Sequence, residues 1–388
     1  MHKGKNILLL SLAALFAVLF VFLFRNVHYN IKGHFEGLYL LHEREAGKYE
    51  FADHLFVGEG KSLIYGKDLP FSRDGLVGQL LSPHNDDRPH LHYEWSPRDG
   101  SGFVSQHFTN GTQLVTYFGR YLDDDAEVHG LFVGGGLPDT VARNQNYNMN
   151  NSGMTFGDGT KWYHIWCSVN EGIGPPNSEN MLTPSKWRFL GSRVVQKSDT
   201  RVVITSSHAV TIGDVPLRIE RRATFAAGES YFTLQIGITN TGTVPVSYEY
   251  NYGDEPWVGY YGTSLGDVGW VKDRVIDYEE VLDTNRYRYA GIADLGNPVI
   301  GERPIYSNLA NFIEWFGDER PAAYIANREG YPPLPGQKIP LESTERFIGL
   351  EWARTLQPGE TADIRLAIGM APYDPRQGVP VKPPTSWK

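Results

Sequence analysis

From Val215 to Tyr252 the chain alternates with a period of two. Leu217, Ile219, Ala223 and Phe225 fall on one stripe, and Arg218, Glu220, Arg222 and Thr224 on the other. Arg221 is the one exception in the apolar stripe. After the turn Ala226-Ala227-Gly228-Glu229, the stripe returns in Phe232, Leu234, Ile236 and Ile238. A third segment sets Val244, Val246, Tyr248, Tyr250 and Tyr252 against Ser247, Glu249 and Asn251. A period of two is that of a strand, and a polar face on successive strands predicts a sheet with one face on the core. The pattern recurs late in the chain, where Ile348, Leu350 and Trp352 oppose Phe347, Gly349 and Glu351, and again over 362–370.

Gly-containing turns punctuate these runs at Asp99-Gly100, Asn110-Gly111, Asp158-Gly159, Ala227-Gly228, Thr241-Gly242 and Pro358-Gly359. No long amphipathic helix interrupts them up to Met370. Regular short strands between Gly turns predict an all-β, antiparallel sandwich or barrel. No internal boundary is visible over 36–370, so that span is read as one domain. The Pro-rich tail, 371–388, is expected to be disordered.

The N-terminus departs from this pattern. Residues 1–6 form a short basic segment, and 7–24 are apolar and uncharged. A helix of that length rises about 27 Å, close to the hydrocarbon thickness of a bilayer. The run ends in Phe22-Leu23-Phe24-Arg25 without a small-x-small cleavage site. It therefore reads as an uncleaved signal anchor, a single transmembrane helix followed by a linker over 25–35. Lys3 and Lys5 predict a cytoplasmic N-terminus, with the main domain periplasmic or extracellular.

Composition narrows the functional classes. The 388 residues include 22 Tyr and 9 Trp, which suit both strand packing and stacking on sugar rings. Net charge is −9 with no basic block, so the footprint of a nucleic-acid binder is missing. No phosphate-binding loop, dinucleotide fingerprint or nucleophile elbow is present, and no cofactor is expected. The single cysteine, Cys167, lies in an aromatic run and reads as a small buried hydrophobe.

Several motifs in order then point to a family. These are Val128-His129-Gly130-Leu131-Phe132-Val133-Gly134-Gly135 with Arg143 downstream, and the turn Asn240-Thr241-Gly242-Thr243-Val244-Pro245. They continue with Asp254-Glu255-Pro256-Trp257-Val258-Gly259, then Phe347 to Trp352 followed by Leu356-Gln357-Pro358-Gly359-Glu360. Together they resemble the galactose mutarotase (aldose 1-epimerase) superfamily across about residues 120–370. The resemblance implies a β-supersandwich and acid–base chemistry at the anomeric centre of a sugar. It maps the family's catalytic base onto Glu351 and the His of its His-Gly motif onto His129. The family's second histidine, before Pro, is replaced by Glu255. A carboxyl there could donate a proton if burial or a like charge such as Asp254 raised its pKa. Glu255 and Glu351 could alternatively form the carboxylate pair of a glycosidase. Arg143, Asp254, Trp257 and Trp352 are the expected substrate contacts.

A second constellation lies at His90, His92 and Glu94, which share one face of a strand. Two imidazoles and a carboxylate can bind zinc or another transition metal. The preferred reading gives His90 and His92 contacts to sugar hydroxyls, with no metal. The sequence thus predicts a membrane-anchored, extracytoplasmic protein with a carbohydrate ligand. It is epimerase-like or glycoside-cleaving; the alternatives are a non-catalytic glycan-binding or envelope-polysaccharide assembly protein, and a metal-dependent enzyme using His90 and His92.

Overall fold

The computed structural model describes residues 56–57, 61–62 and 87–387, except 99, 119–120, 124–125, 133–152, 159–161, 167–168, 179–180, 255, 257, 261–266, 296–306, 328–331, 335, 342–345 and 375. The chain divides into two compact units, 1–49 and 50–388. The first, with the expected membrane span 7–24, lies outside the described residues, and so does Cys167. Among the described residues no helix is long and apolar enough to cross a membrane. The second unit is built almost wholly of antiparallel strands, as the alternation predicts.

Two two-stranded ribbons, β1 (Phe56–Val57) with β2 (Lys61–Ser62) and β6 (Tyr121–Asp123) with β7 (Ala126–Val128), accompany three larger sheets among the described residues of this unit. The largest has ten strands. Its order is β11 (Arg188–Lys197), β12 (Arg201–Ile212), β13 (Val215–Ala226), β14 (Tyr231–Asn240), β24 (Thr361–Asp374), β21 (Leu309–Phe316), β20 (Tyr289–Asp294), β17 (Asp267–Val271) and β18 (Arg274–Ile276), with β25 (Val379–Pro380) beside β24. A five-stranded sheet runs β10 (Val169–Gly174), β15 (Val246–Asp254), β23 (Phe347–Leu356), β22 (Ala322–Ala326) and β19 (Glu280–Leu282). A six-stranded sheet runs β16 (Gly259–Tyr260), β9 (Trp162–Trp166), β8 (Gly153–Gly157), β5 (Gln113–Phe118), β4 (Ser101–His107) and β3 (His90–Ser96).

One core joins all three. Tyr250 and Leu350 of the five-stranded sheet, Leu114 and Phe118 of the six-stranded sheet, and Ile219, Phe225 and Phe232 of the ten-stranded sheet belong to one buried cluster. Phe118 packs edge-on against Phe225 and Phe232, with ring centroids 6.1 and 5.9 Å away. Arg221, the exception in the apolar stripe of β13, points into this core and is 1% exposed. It is ion-paired there with the buried Glu171 of β10, which also accepts from the Tyr250 hydroxyl. Arg221 donates as well to the Leu131 carbonyl at 3.0 Å, and its guanidinium lies 3.9 Å from the Phe132 ring centroid. The charge in the stripe is thus a bolt between two sheets.

The tail departs from expectation. β24 continues to Asp374, β25 pairs with it, and the following residues lie on the far face of the ten-stranded sheet. That face carries a second small cluster, which includes Tyr231, Trp270 and Phe312. Lys382 pairs with Glu314 at 2.8 Å and sits 5.3 Å from the Phe312 ring centroid. The Ser386 amide donates to the Tyr231 hydroxyl at 3.2 Å, and Trp387 packs on Phe316. Prolines lose little entropy on ordering, which lets a Pro-rich segment dock on these contacts. At the opposite edge, β11 pairs with β12 through two register shifts, between Phe189 and Gly191 and between Val194 and Gln196.

Candidate active site

Glu351 lies on β23 between Leu350 and Trp352, which point into the core, so its side chain turns to the outward face. Cross-strand register surrounds it with small residues. Glu351 is opposite Asn251 and Ala322, and Asn251 is opposite Gly172. In the next row Gly253 opposes Gly349, and Gly349 opposes Tyr324. A side chain at 349 would occupy the position of the Tyr324 ring, so glycine there lets the tyrosine lie across the sheet. The result is a row of Gly and Ala around Glu351, Asn251 and Glu249, with Tyr324 buried beside them.

The electrostatics of this row favour a protonatable carboxyl. Glu351 is half-buried, and its pKa is raised chiefly by desolvation, with Glu249 adding like-charge repulsion. The Tyr324 hydroxyl donates to it and pulls the other way. Glu249 is itself held by the Asn177 amide, 3.0 Å from its Oε2. The Asn251 Oδ1 is buried without a hydrogen-bond partner among the described residues, beside Gly172. A hydroxyl-bearing ligand here would meet the half-buried Glu351 carboxylate, with the Asn251 oxygen and the Tyr324 phenol buried next to it.

The acidic corner begins on the same sheet. Asp254 ends β15 opposite Ile348, three residue pairs, about 10 Å, from Glu351. Glu255 and Trp257 lie outside the described residues. The chain then enters the six-stranded sheet at β16, so the corner connects two sheets. It is anchored from below by a pair of carboxyl groups with no counterpart in the sequence reading. The Val258 amide donates to Asp267 at 3.0 Å, and Asp267 faces Asp294 across β17 and β20. Both are buried. Asp267 has a pKa raised well above the usual carboxylate range, first by desolvation and then by Asp294, with Arg346 opposing. Gly259, at φ +102°, leaves the space that the Asp294 carboxylate fills.

The other expected site residues lie elsewhere. His129 stacks on Phe189 of β11, ring centroids 5.6 Å apart, and its carbonyl bonds the ring of His208 at 2.7 Å. His208, buried among Phe132, Trp187 and Phe189, has its pKa lowered to about 4, mainly by desolvation. This places His129 on the core side of the ten-stranded sheet, whereas Glu351 is on the outward face of the five-stranded one. The structure does not bring them onto one face. Trp352 is 5% exposed and packs on Tyr250, so it is a core residue and not a stacking platform. His90 and His92 belong to the six-stranded sheet, His90 stacked on His107 at 4.5 Å and His92 against Phe103 at 5.8 Å. They do not share the Glu351 face. Among the described residues no group of three or more His, Cys, Asp or Glu side chains is placed to hold a metal ion. Arg143 lies outside the described residues. The residues missed from sequence, Asn251, Glu249 and Tyr324, carried a signal. Glu249 and Asn251 were already on the polar stripe of their strand, but only register brings them beside Glu351.

No family model matches the sequence, and no curated protein does. Solved structures similar to the chain include a candidate aldose 1-epimerase from Klebsiella pneumoniae subsp. pneumoniae, 12% identical over 77% of this chain and 87% of that one, with a TM-score of 0.40. A galactose mutarotase-like protein from Clostridium acetobutylicum is 8% identical over 74% of this chain and 100% of that one, with a TM-score of 0.36. The heparan sulfate lyase HepC from Pedobacter heparinus is 10% identical over 83% of this chain and 45% of that one, with a TM-score of 0.35.

Proposed function

We propose that the outward face of the five-stranded sheet binds a carbohydrate and that Glu351 acts there as a general base at an anomeric centre. The observation that carries this reading is the setting of Glu351 in a row of small residues. Its carboxyl is raised by burial and by Glu249, bonded by Tyr324, and beside an Asn251 acceptor that has no partner among the described residues. A carboxylate whose pKa is lifted toward the working pH is a stronger base and, once protonated, a usable acid. A sugar supplies a hydroxyl proton for Glu351. Glu255 is the proposed partner acid, because its corner leaves the same sheet at Asp254. The chemistry is epimerase-like or glycoside-cleaving. We also propose that residues 7–24 anchor the chain in a membrane with the β unit on the non-cytoplasmic side.

The deciding variant is Glu351→Gln assayed on reducing sugars and glycosides. Loss of about 10²–10⁴ in kcat with ligand affinity retained supports the base. Full turnover in the variant removes Glu351 from the mechanism. The position of His129 away from Glu351 favours a second reading, a glycan-binding protein without catalysis. That reading predicts no turnover in the wild type and equal affinity in wild type and variant.

A further inference from the structure

The outward face of the ten-stranded sheet carries a second polar surface, away from Glu351. Register across β11, β12, β13, β14 and β24 sets Arg193, Thr205, Arg222, Gln235 and Arg365 in one row. The arginines stand on alternate strands, so neighbours in the row are about 10 Å apart. A groove of about 570 Å³ lies over this face, with Arg218, Glu220 and Asp363 in the adjoining rows.

The charges in the groove do not cancel. Glu220 is paired with Arg218 at 2.9 Å. Asp363 accepts from Gln235 at 2.9 Å and is paired with Arg365 at 2.6 Å. Arg193 and Arg222 are exposed and have no carboxylate partner among the described residues. In a chain of net charge −9, two uncompensated guanidinium groups in one groove mark a place for anions. The lining contains no Phe, Tyr or Trp, so it lacks the stacking platforms that hold single-stranded nucleic acid. What separates the arginines is a hydroxyl and an amide, Thr205 and Gln235, which suit a hydroxyl-rich ligand.

We propose that this groove binds a linear acidic polysaccharide lying across the strands. Its acid groups sit on Arg193 and Arg222, with hydroxyls on Thr205 between them and on Gln235 beyond Arg222. Planar guanidinium groups hold carboxylate or sulfate through paired hydrogen bonds, which makes arginine the residue for such a contact. The groove is on a different sheet from Glu351, so the proposal stands independently of the catalytic reading.

The test is calorimetric titration of the full-length chain with oligogalacturonate, heparin, dextran and a thymidine oligonucleotide. Oligogalacturonate or heparin should bind, more weakly as salt is added, and dextran should not. Whichever of the two binds more tightly assigns carboxylate or sulfate as the acid group. The double variant Arg193→Gln with Arg222→Gln should lose affinity about tenfold or more, and the corresponding double Lys variant should lose less. Melting temperatures check that both double variants are folded. The proposal is overturned if neither acidic polysaccharide binds or if the folded Gln variant binds as well as the wild type. Tighter binding of the oligonucleotide through the same arginines would also overturn it.

Discussion

At the residue scale, two side chains, Tyr324 and Glu249, act on the protonation of Glu351 in opposite senses. In the proposed chemistry ionised Glu351 is the working base, so activity is expected to fall as pH drops through its raised pKa. Tyr324→Phe removes the donor that favours the ionised form, and the acid limb of the pH–rate profile moves to higher pH. Glu249→Gln removes the like charge, and the limb moves to lower pH. Kinetics of the two variants across pH check both signs. Asp267 gives a stability counterpart. Its folded pKa lies well above the ordinary 3.8, so the stability it contributes is full below that value and is lost as pH rises toward the folded pKa. Urea melts from pH 4 upward should show stability falling, and Asp267→Asn, which mimics the protonated acid, should flatten that dependence. Glu351 was a candidate in the sequence because a motif surrounds it. Asp267 and Asp294 were not, because two ordinary strand residues far apart in the chain become a pair only through register.

At the element scale, the turns were the most legible feature. Gly228 and Gly359 have φ of +82° and +79°, where glycine is favoured. The Asn240 turn shows why its residues are needed. Asn240 is fully buried, donates to the Val244 and Leu356 carbonyls at 2.8 and 3.1 Å, and accepts from the Gly242 amide at 2.9 Å. Its backbone carbonyl accepts from Gly359, so the two turns that looked like separate motifs form one knot. Asn240→Ala leaves buried backbone groups unpaired and should cost about 2–3 kcal/mol of unfolding free energy, measured by chemical denaturation. The tail was misread because composition reports the cost of ordering a segment but not the surface available to receive it.

At the scale of the whole molecule, the stripe pattern identified one sheet, but not that two further sheets share its inner face. The bolt between sheets, Arg221 with Glu171, appeared in the sequence only as an exception. Arg221→Ala strands the Glu171 charge in the core and should destabilise the protein by about 3–5 kcal/mol. Replacing both, Arg221→Met with Glu171→Leu, should recover most of that loss in the same denaturation assay. His129 was read from a local motif and belongs to a different layer from Glu351, a separation that no spacing along the chain encodes. The Glu255 corner was identified from the same order of motifs, and its strand does end on the Glu351 sheet.

The irregular pairing of β11 has a consequence for life in a crowded solution. An edge strand of ten residues presents unpaired amides and carbonyls on which a second chain could template itself. Two breaks in its register leave no long flat run to copy, and Arg188, Arg193 and Lys197 place positive charge along it. The largest sheet thus ends in an edge that resists self-recruitment, and the fold protects itself against fibre growth where a straight strand would invite it.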